Sequence, residues 1–284
     1  MMQLQDNPGL RTFSVEAMHT TFTLRLDCAD EKRAQEAASA CFNQLDAIEA
    51  HISRFRIDSD ITRINLLEKG KSLLVSETTH ACLLQAFEAQ AMTAGLFDVT
   101  LGARTWPDGH GDDGARASDA GQLEVDPTRP LVGCVEPGRQ IDLGGIGKGF
   151  ALDQLSRTLT SYQIDSALLC AGASSILALG PHGWPITLSG DEENVPFELK
   201  ARALRASGIG IQGAHVVHPD SPSEEPIYSF KRVWLAASNA ALADAGATAC
   251  LLMSDDEIEA FADTYQNEMT IYAEDIDSTE VRRV

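Results

Sequence analysis

Six short apolar segments between residues 166 and 238 constrain the fold more than any other feature of the sequence. They read SALLCAG, SILALG, WPITLS, FELKARAL, GIGIQ and RVWLAAS. Several are separated by only a short turn, which can join antiparallel strands but is too short for the crossover that parallel strands require. The sequence therefore predicts an α+β fold with a mostly antiparallel sheet, and it disfavours the doubly wound folds that bind dinucleotides.

Segments before this run predict the elements that pack on the sheet. Residues 22–26 alternate apolar and polar side chains, as a half-buried strand does. A long helix is predicted after Asp30, its N-cap, because apolar residues then recur at spacings of four and three on one face: Cys41, Leu45, Ile48, Ile52 and Phe55. A second helix is predicted between a cap at Ser76 and a stop at Gly95.

Residues 105–138 are rich in Gly, Asp, Pro and Arg, which predicts a surface loop or insertion. The segment RQIDL, residues 139–143, is predicted to form a strand, and residues 148–163 and 239–253 to form helices. We expect the whole chain, residues 1–284, to be a single domain.

Composition narrows the function classes. A formal net charge of −20 predicts no nucleic-acid partner, because the phosphate backbone would be repelled. The sequence has no run of about 18 apolar residues, which predicts no insertion into a membrane. The start, MMQLQDNPGL, lacks the basic and apolar regions of a secretory signal, so a cytoplasmic location is expected. The six cysteines form no C-x-x-C pair and are expected to be reduced thiols.

The stretch DLGGIGKGF, residues 142–150, has the composition of a phosphate-binding loop but matches neither common pattern. The P-loop needs a glycine where Asp142 stands and a Ser or Thr where Gly149 stands. The dinucleotide fingerprint needs a third glycine where Phe150 stands. Taken alone, the stretch is equally consistent with a strand-to-helix turn that is glycine-rich for backbone reasons.

Two other pairs of residues are candidates for chemistry. Asp244 and Thr248 lie four apart on a predicted helix, so their oxygens share one face and form a hard-ligand pair suited to magnesium. Such pairs are more often ordinary surface or capping residues. His215 and His218 lie three apart near Pro219. They could be metal ligands, but no third soft ligand is nearby, so they are interpreted as turn residues or, for His215, as a general base.

Seven segments, taken in order along the chain, are similar to the motifs of the ApbE family of flavin transferases. They are AMHTTF, ISRFRIDSDITRIN, AGLFDVTLG, DLGGIGKGFALD, LLCAGASSI, ASGIG with HVVHP, and LADAGATA. The resemblance implies an ApbE-like, T-fold-related architecture. It also implies magnesium-dependent transfer of FMN from FAD to a Thr or Ser hydroxyl of an acceptor flavoprotein, with release of AMP. An FAD pyrophosphatase and a non-catalytic FAD-binding protein are the alternatives.

The resemblance also implies roles for individual residues. Magnesium would be held by Asp244, Thr248 and the backbone carbonyl of Gly147, and His215 would be the catalytic base. The residues at flavin-nucleotide contact positions are Met18, Phe55, Leu96, Phe97, Asp98, Gly144, Phe150 and Val217.

The chain departs from the family motifs at three places. Where the family has N-A-G-G-D, this chain reads CAGAS, residues 170–174, and so lacks an amide and a carboxylate. His218 replaces the aspartate of H-(I/V)-I-D-P, and His19 replaces the glycine of M-G-T. Metal and nucleotide binding are therefore better supported by the motifs than transfer activity or the choice of acceptor.

Overall fold

The structure is a computed structural model that describes residues 9–102, 121–209, 216, 218–220 and 227–284. The helices in this part of the chain are α1 (Glu31–Ile52), α2 (Asp60–Asn65), α3 (Glu77–Met92), α4 (Gly147–Ser161), α5 (Ala240–Cys250) and α6 (Asp255–Thr264). The strands are β1 (Leu10–Ala17), β2 (Thr20–Asp27), β3 (Ser72–Leu74), β4 (Gln122–Val125), β5 (Leu131–Glu136), β6 (Ala167–Ala171), β7 (Ser175–Leu179), β8 (Trp184–Ser189), β9 (Asn194–Leu199), β10 (Ala203–Gly208), β11 (Phe230–Ala237), β12 (Thr270–Asp275) and β13 (Val281–Arg283).

An eight-stranded sheet forms the centre of the fold. Its strand order is β1-β2-β6-β7-β10-β11-β12-β13, and each neighbouring pair is antiparallel. Two small antiparallel sheets, β3-β5-β4 and β8-β9, accompany it. The prediction of an α+β fold with a mostly antiparallel sheet is confirmed.

Helix caps agree with the sequence. Asp30 accepts a hydrogen bond from the backbone N of Arg33 at 3.1 Å and caps α1. Ser76 accepts one from the backbone N of Thr79 at 3.1 Å and caps α3. These side-chain oxygens satisfy backbone donors that a helix leaves unpaired at its start.

Helix α5 lies at the middle of the core and sets the spacing of its neighbours. It packs against α4 on one side and against β10 and β11 on the other. Its six alanines are buried, and α4 approaches so closely that a Cβ on Gly149 would lie 2.1 Å from the backbone oxygen of Ala240. Small side chains on both helices allow this approach, which places the first turn of α4 beside α5.

Two predicted strands differ from the structure. FELKARAL is divided between β9 and β10 by a turn in which Ala201 has a φ of 46°. RQIDL is not a strand, because the amide of Asn65 bonds both the N–H and the carbonyl of Ile141 and only an isolated bridge joins Leu101 to Gln140.

The range predicted as a loop or insertion, residues 105–138, contains β4 and β5. Those two strands pair with one another in the small sheet. Residues 103–120 lie outside the described part of the chain, as does the end of the GIGIQ segment beyond residue 209. In the described residues, none of the helices combines the length and the apolar character that crossing a membrane requires.

Candidate functional site

A cleft of about 770 Å³ opens beside the first turn of α4. Its walls come from the β1–β2 turn, the end of α1, residues 96–102, the glycine stretch, β10 and the C-terminal part of α5. The cleft has an apolar part, which includes Met18, Phe55 and Leu96, and a polar part, which includes Lys148 and Thr248. Segments that are far apart in the sequence therefore line one concave surface, as is usual for a small-molecule site.

The glycine stretch serves both packing and access to the cleft. A Cβ on Gly145 would lie 2.9 Å from Cε2 of Phe97, and Gly149 has no room beside α5. Gly144, Gly145 and Gly147 all line the cleft, although Gly147 is itself buried. Close packing thus accounts for Gly149 and contributes at Gly145, while Gly144 is the exposed glycine of the stretch.

Asp244 lies behind the cleft wall and is only 1% exposed. Its Oδ2 accepts a hydrogen bond from the backbone N of Gly149 at 2.8 Å, and its Oδ1 accepts one from Oγ of Ser175 at 2.9 Å. Nη1 of Arg205 lies 3.5 Å from Oδ1 and donates to Oγ of Ser175 at 2.7 Å. Burial raises the pKa of Asp244, and the Arg205 charge opposes that shift. Asp244 is therefore the centre of a buried polar cluster.

The three residues predicted to hold magnesium lie near one another around the first turn of α4. Thr248 lines the cleft one turn after Asp244, and its Oγ1 donates to the backbone oxygen of Asp244 at 2.9 Å. Gly147 also lines the cleft. The described residues contain no group of three or more His, Cys, Asp or Glu side chains that could hold a metal.

The donor set does not fit a magnesium ion in this arrangement. Both carboxylate oxygens of Asp244 already accept hydrogen bonds from the protein. The guanidinium of Arg205, a positive charge, lies beside the carboxylate that would have to ligate the ion. A divalent cation would be repelled by that charge and would have to displace it.

Lys148 adds a second basic group to this end of the cleft. Burial lowers the pKa of its ammonium, the Arg205 charge lowers it further, and the Asp244 charge opposes both. The polar end of the cleft thus has two basic side chains against one buried carboxylate.

The β1–β2 turn carries an aromatic contact at the mouth of the cleft. Met18 and His19 have φ values of 48° and 58°, as a two-residue hairpin turn requires. The His19 ring lies edge-on to Phe55, with the ring centroids 5.3 Å apart. Phe55 is half exposed and lines the cleft, where its ring can contact a planar ligand.

Residues 96–98 form another part of the wall. Leu96 and Phe97 line the cleft, although Phe97 is only 4% exposed. Asp98 accepts hydrogen bonds from the backbone N and Oγ1 of Thr100, and its Oδ2 forms an ion pair with Arg139 at 2.8 Å. In this arrangement Asp98 holds the turn and contributes no free charge.

Three predicted site residues remain, namely Phe150, His215 and Val217, and only Phe150 is among the residues that the structure describes. Phe150 is completely buried in the hydrophobic core and does not line the cleft, because it faces inward from the first turn of α4. Its predicted contact with a nucleotide therefore has no support in this arrangement. His215 and Val217 lie outside the described residues, so their roles stay predictions.

Sequence reasoning missed three residues of this region. Asp153, on α4, accepts hydrogen bonds from the backbone N atoms of Ala240 and Ala241 at 2.8 and 2.9 Å and so completes the N-terminus of α5. Ser175 and Arg205 bond to Asp244 from neighbouring strands. One available signal was the charge of Arg205 within the apolar strand segment ALRASG, since an unpaired charge is rarely buried.

Comparisons with known proteins agree with this architecture. The model of the "ApbE family" matches residues 18–273. An FAD:protein FMN transferase of Treponema pallidum is 29% identical over 51% of this chain, and the match spans 44% of that protein, less than half of its length. An FAD:protein FMN transferase of Salmonella typhimurium is 24% identical, with 76% of this chain and 71% of that protein covered.

A solved structure named flavin transferase ApbE from Vibrio cholerae superposes with a TM-score of 0.81 at 20% identity. The superposition covers 97% of this chain and 96% of the other, which shows that the fold is shared along almost the whole length. Because the family model matches most of the chain and the fold agrees, the chain belongs to the ApbE family.

Proposed function

We propose that this protein transfers FMN from FAD to a Thr or Ser hydroxyl of an acceptor protein and releases AMP. The proposal is supported by family membership and by the names of the relatives, which are FAD:protein FMN transferases. The structural observation that carries it is the cleft itself. It joins an apolar, aromatic wall, suited to a flavin ring, to a basic end beside a helix start, suited to a diphosphate.

The orientation of FAD follows from the chemistry of the cleft walls. The flavin ring would lie against the apolar part, near Met18, Phe55 and Leu96, where burial of its flat surface is favourable. The diphosphate would lie near Gly147 and Lys148, where the cleft wall carries positive charge. The scissile bond between the two phosphorus atoms would then face the acceptor hydroxyl.

The proposed reaction breaks one phosphoanhydride bond and forms one phosphoester bond. The acceptor oxygen attacks the phosphorus on the FMN side, and the bridging oxygen leaves with its electron pair as part of AMP. The hydroxyl proton passes to a base, which the family resemblance predicts to be His215. Positive charge beside the diphosphate must stabilise the charge that develops on the phosphoryl oxygens. Magnesium is the cation that the family resemblance predicts.

The test is incubation of the purified protein with FAD and an extract of its source cells. Transfer predicts AMP together with a protein band that keeps flavin fluorescence after denaturing electrophoresis. Free FMN with AMP, and no fluorescent band, would instead identify a pyrophosphatase. FAD that is retained without any product would identify a binding protein and would contradict the proposal.

A His215→Ala variant completes the experiment. If the base assignment is correct, the variant binds FAD but forms the fluorescent band at least about 100-fold more slowly, as expected for loss of general base catalysis. Transfer at the wild-type rate would show that another group takes the proton.

A further inference from the structure

Arg205 is a buried cation with an unused hydrogen-bond donor. The residue is 7% exposed, and it lines the cleft from the middle of β10. Its Nη1 donates to Oγ of Ser175 and lies 3.5 Å from the Asp244 carboxylate. Its Nε is buried and has no hydrogen-bond partner among the residues that the structure describes. A buried donor without a partner is costly, so an acceptor from outside the protein is expected.

Arg205 lies where a metal ion bound to Asp244 would lie, and it can fill the same electrostatic role. A cation beside Asp244 has two effects: it balances the buried carboxylate, and it presents positive charge to an anion in the cleft. Arg205 already balances Asp244, partly through Ser175. Its planar guanidinium also suits two oxygens of one phosphate group better than a single charged point does.

The distribution of charge around the cleft favours anion binding at the end beside the start of α4. Asp142 is paired with Arg54 at 3.1 Å, and Asp98 is paired with Arg139. Glu49 lies on the wall that α1 forms. At the start of α4, Lys148 and Arg205 face the cleft with Asp244 as their nearby carboxylate. One positive charge is therefore in excess there.

We propose that Arg205 takes the place of the divalent cation in this protein, binding the diphosphate of FAD directly, so that FAD binding needs no metal ion. The inference rests on the proposed function for the identity of the ligand. It goes beyond that function because it assigns the cationic role to a side chain of β10 rather than to a bound ion.

The first test is calorimetric titration of the wild-type protein with FAD, once with EDTA and once with magnesium chloride. The two dissociation constants are expected to agree within about threefold, because the cation is part of the protein. FMN, which has no diphosphate, is expected to bind more weakly and to serve as the ligand control. Binding that requires magnesium would overturn the inference while leaving the proposed function standing. Absence of FAD binding under both conditions would overturn the proposed function as well.

The second test compares Arg205→Ala with Arg157→Ala. Arg157 is exposed on α4, away from the cleft lining, so its loss changes the net charge equally without touching the site. In EDTA, Arg205→Ala is expected to weaken FAD binding about ten- to hundredfold, as the loss of a charged hydrogen bond predicts. Magnesium is expected to restore part of this loss, because Asp244 then has no competing guanidinium. Arg157→Ala is expected to bind FAD like the wild type.

Arg205→Lys provides a test if the alanine variant does not fold. Lysine keeps a charge beside Asp244 but loses the planar pair of donors. A melting temperature near that of the wild type, with FAD binding at least about fivefold weaker in EDTA, would support the inference. Wild-type affinity in EDTA for either variant would overturn it.

Discussion

Ser175 joins two charged side chains that come from different elements. Its hydroxyl donates to Asp244 and accepts from Arg205, and the residue is 1% exposed. We expect Ser175→Ala to lower the free energy of unfolding by about 1–3 kcal/mol, because two buried polar atoms lose a partner. Urea unfolding measures this difference. Ser161→Ala, at the exposed end of α4, is the control and should change stability by less than about 0.5 kcal/mol. Equal losses in both variants would contradict the role given to Ser175.

Asp153 is expected to make the protein more stable at low pH, whereas most carboxylates that are paired in the folded state have the opposite effect. Burial raises the pKa of its carboxyl from 3.8 to about 6, although the N–H groups of Ala240 and Ala241 oppose the shift. At a pH between 3.8 and about 6, the Asp153 carboxyl is protonated more often in the folded protein than in the unfolded chain. The contribution of Asp153 is therefore largest at low pH and falls as the pH rises through this window.

Asp153→Asn removes this titration and keeps the side-chain size. The wild type is expected to gain stability relative to the variant as the pH is lowered from about 7 to about 4. Urea unfolding of both proteins across this range provides the comparison. A stability difference that stays constant with pH would show that the Asp153 pKa is not raised.

Only some residues of the candidate site could be predicted from local patterns in the sequence. The spacing of Asp244 and Thr248 predicted that their side-chain oxygens share one face of a helix. In the structure Thr248 lines the cleft and donates to the backbone oxygen of Asp244, whereas the Asp244 carboxylate is buried behind the wall. Spacing could not predict that Ser175 and Arg205 meet Asp244, since the sheet order brings β7 and β10 to α5. A local pattern contains no information on such contacts between distant segments.

The close contact of α4 with α5 requires a glycine at position 149, because a side chain there would collide with Ala240. We expect Gly149→Ala to destabilise the protein by about 3 kcal/mol, because the new Cβ would lie 2.1 Å from the Ala240 oxygen and the helices would have to separate. Gly147→Ala, in the same turn, meets only the end of the Ile52 side chain at 3.3 Å and should cost less than about 1 kcal/mol. Thermal melts of both variants test this order, and a smaller loss for Gly149→Ala would contradict it.

Element prediction succeeded where the signal was local. The caps at Asp30 and Ser76 and most of the apolar face of α1 were readable because they depend on residues within one helix. Phe55, predicted as the last residue of that face, is instead half exposed and lies beyond the end of α1 at Ile52. The turn between β9 and β10 was missed because Ala201 adopts a positive φ without any glycine or proline to mark it. The strand predicted from RQIDL fails because a side chain, that of Asn65, takes the hydrogen bonds of Ile141 that a strand would make.

At the scale of the whole molecule, a net charge of −20 opposes the compact state. We expect the melting temperature to rise when sodium chloride is raised from about 0.01 M to about 0.15 M, because the Debye length falls from about 30 Å to about 8 Å. The control is the same salt series near pH 4.6, the sequence pI, where little net charge remains to be screened. A melting temperature that is unchanged by salt at neutral pH would show that the surface charges are already balanced locally.

The buried cluster around Asp244 also has a consequence for how the protein is made. Asp244 bonds to Gly149, which precedes it by 95 residues, and to Ser175, which precedes it by 69. Because the chain is synthesised from its N-terminus, the glycine turn and Arg205 emerge from the ribosome before the carboxylate that holds them. Stabilisation by a bound ligand acts only on a formed site. If FAD is the ligand, as proposed, FAD can therefore stabilise finished molecules of this protein but not chains that have not yet reached Asp244.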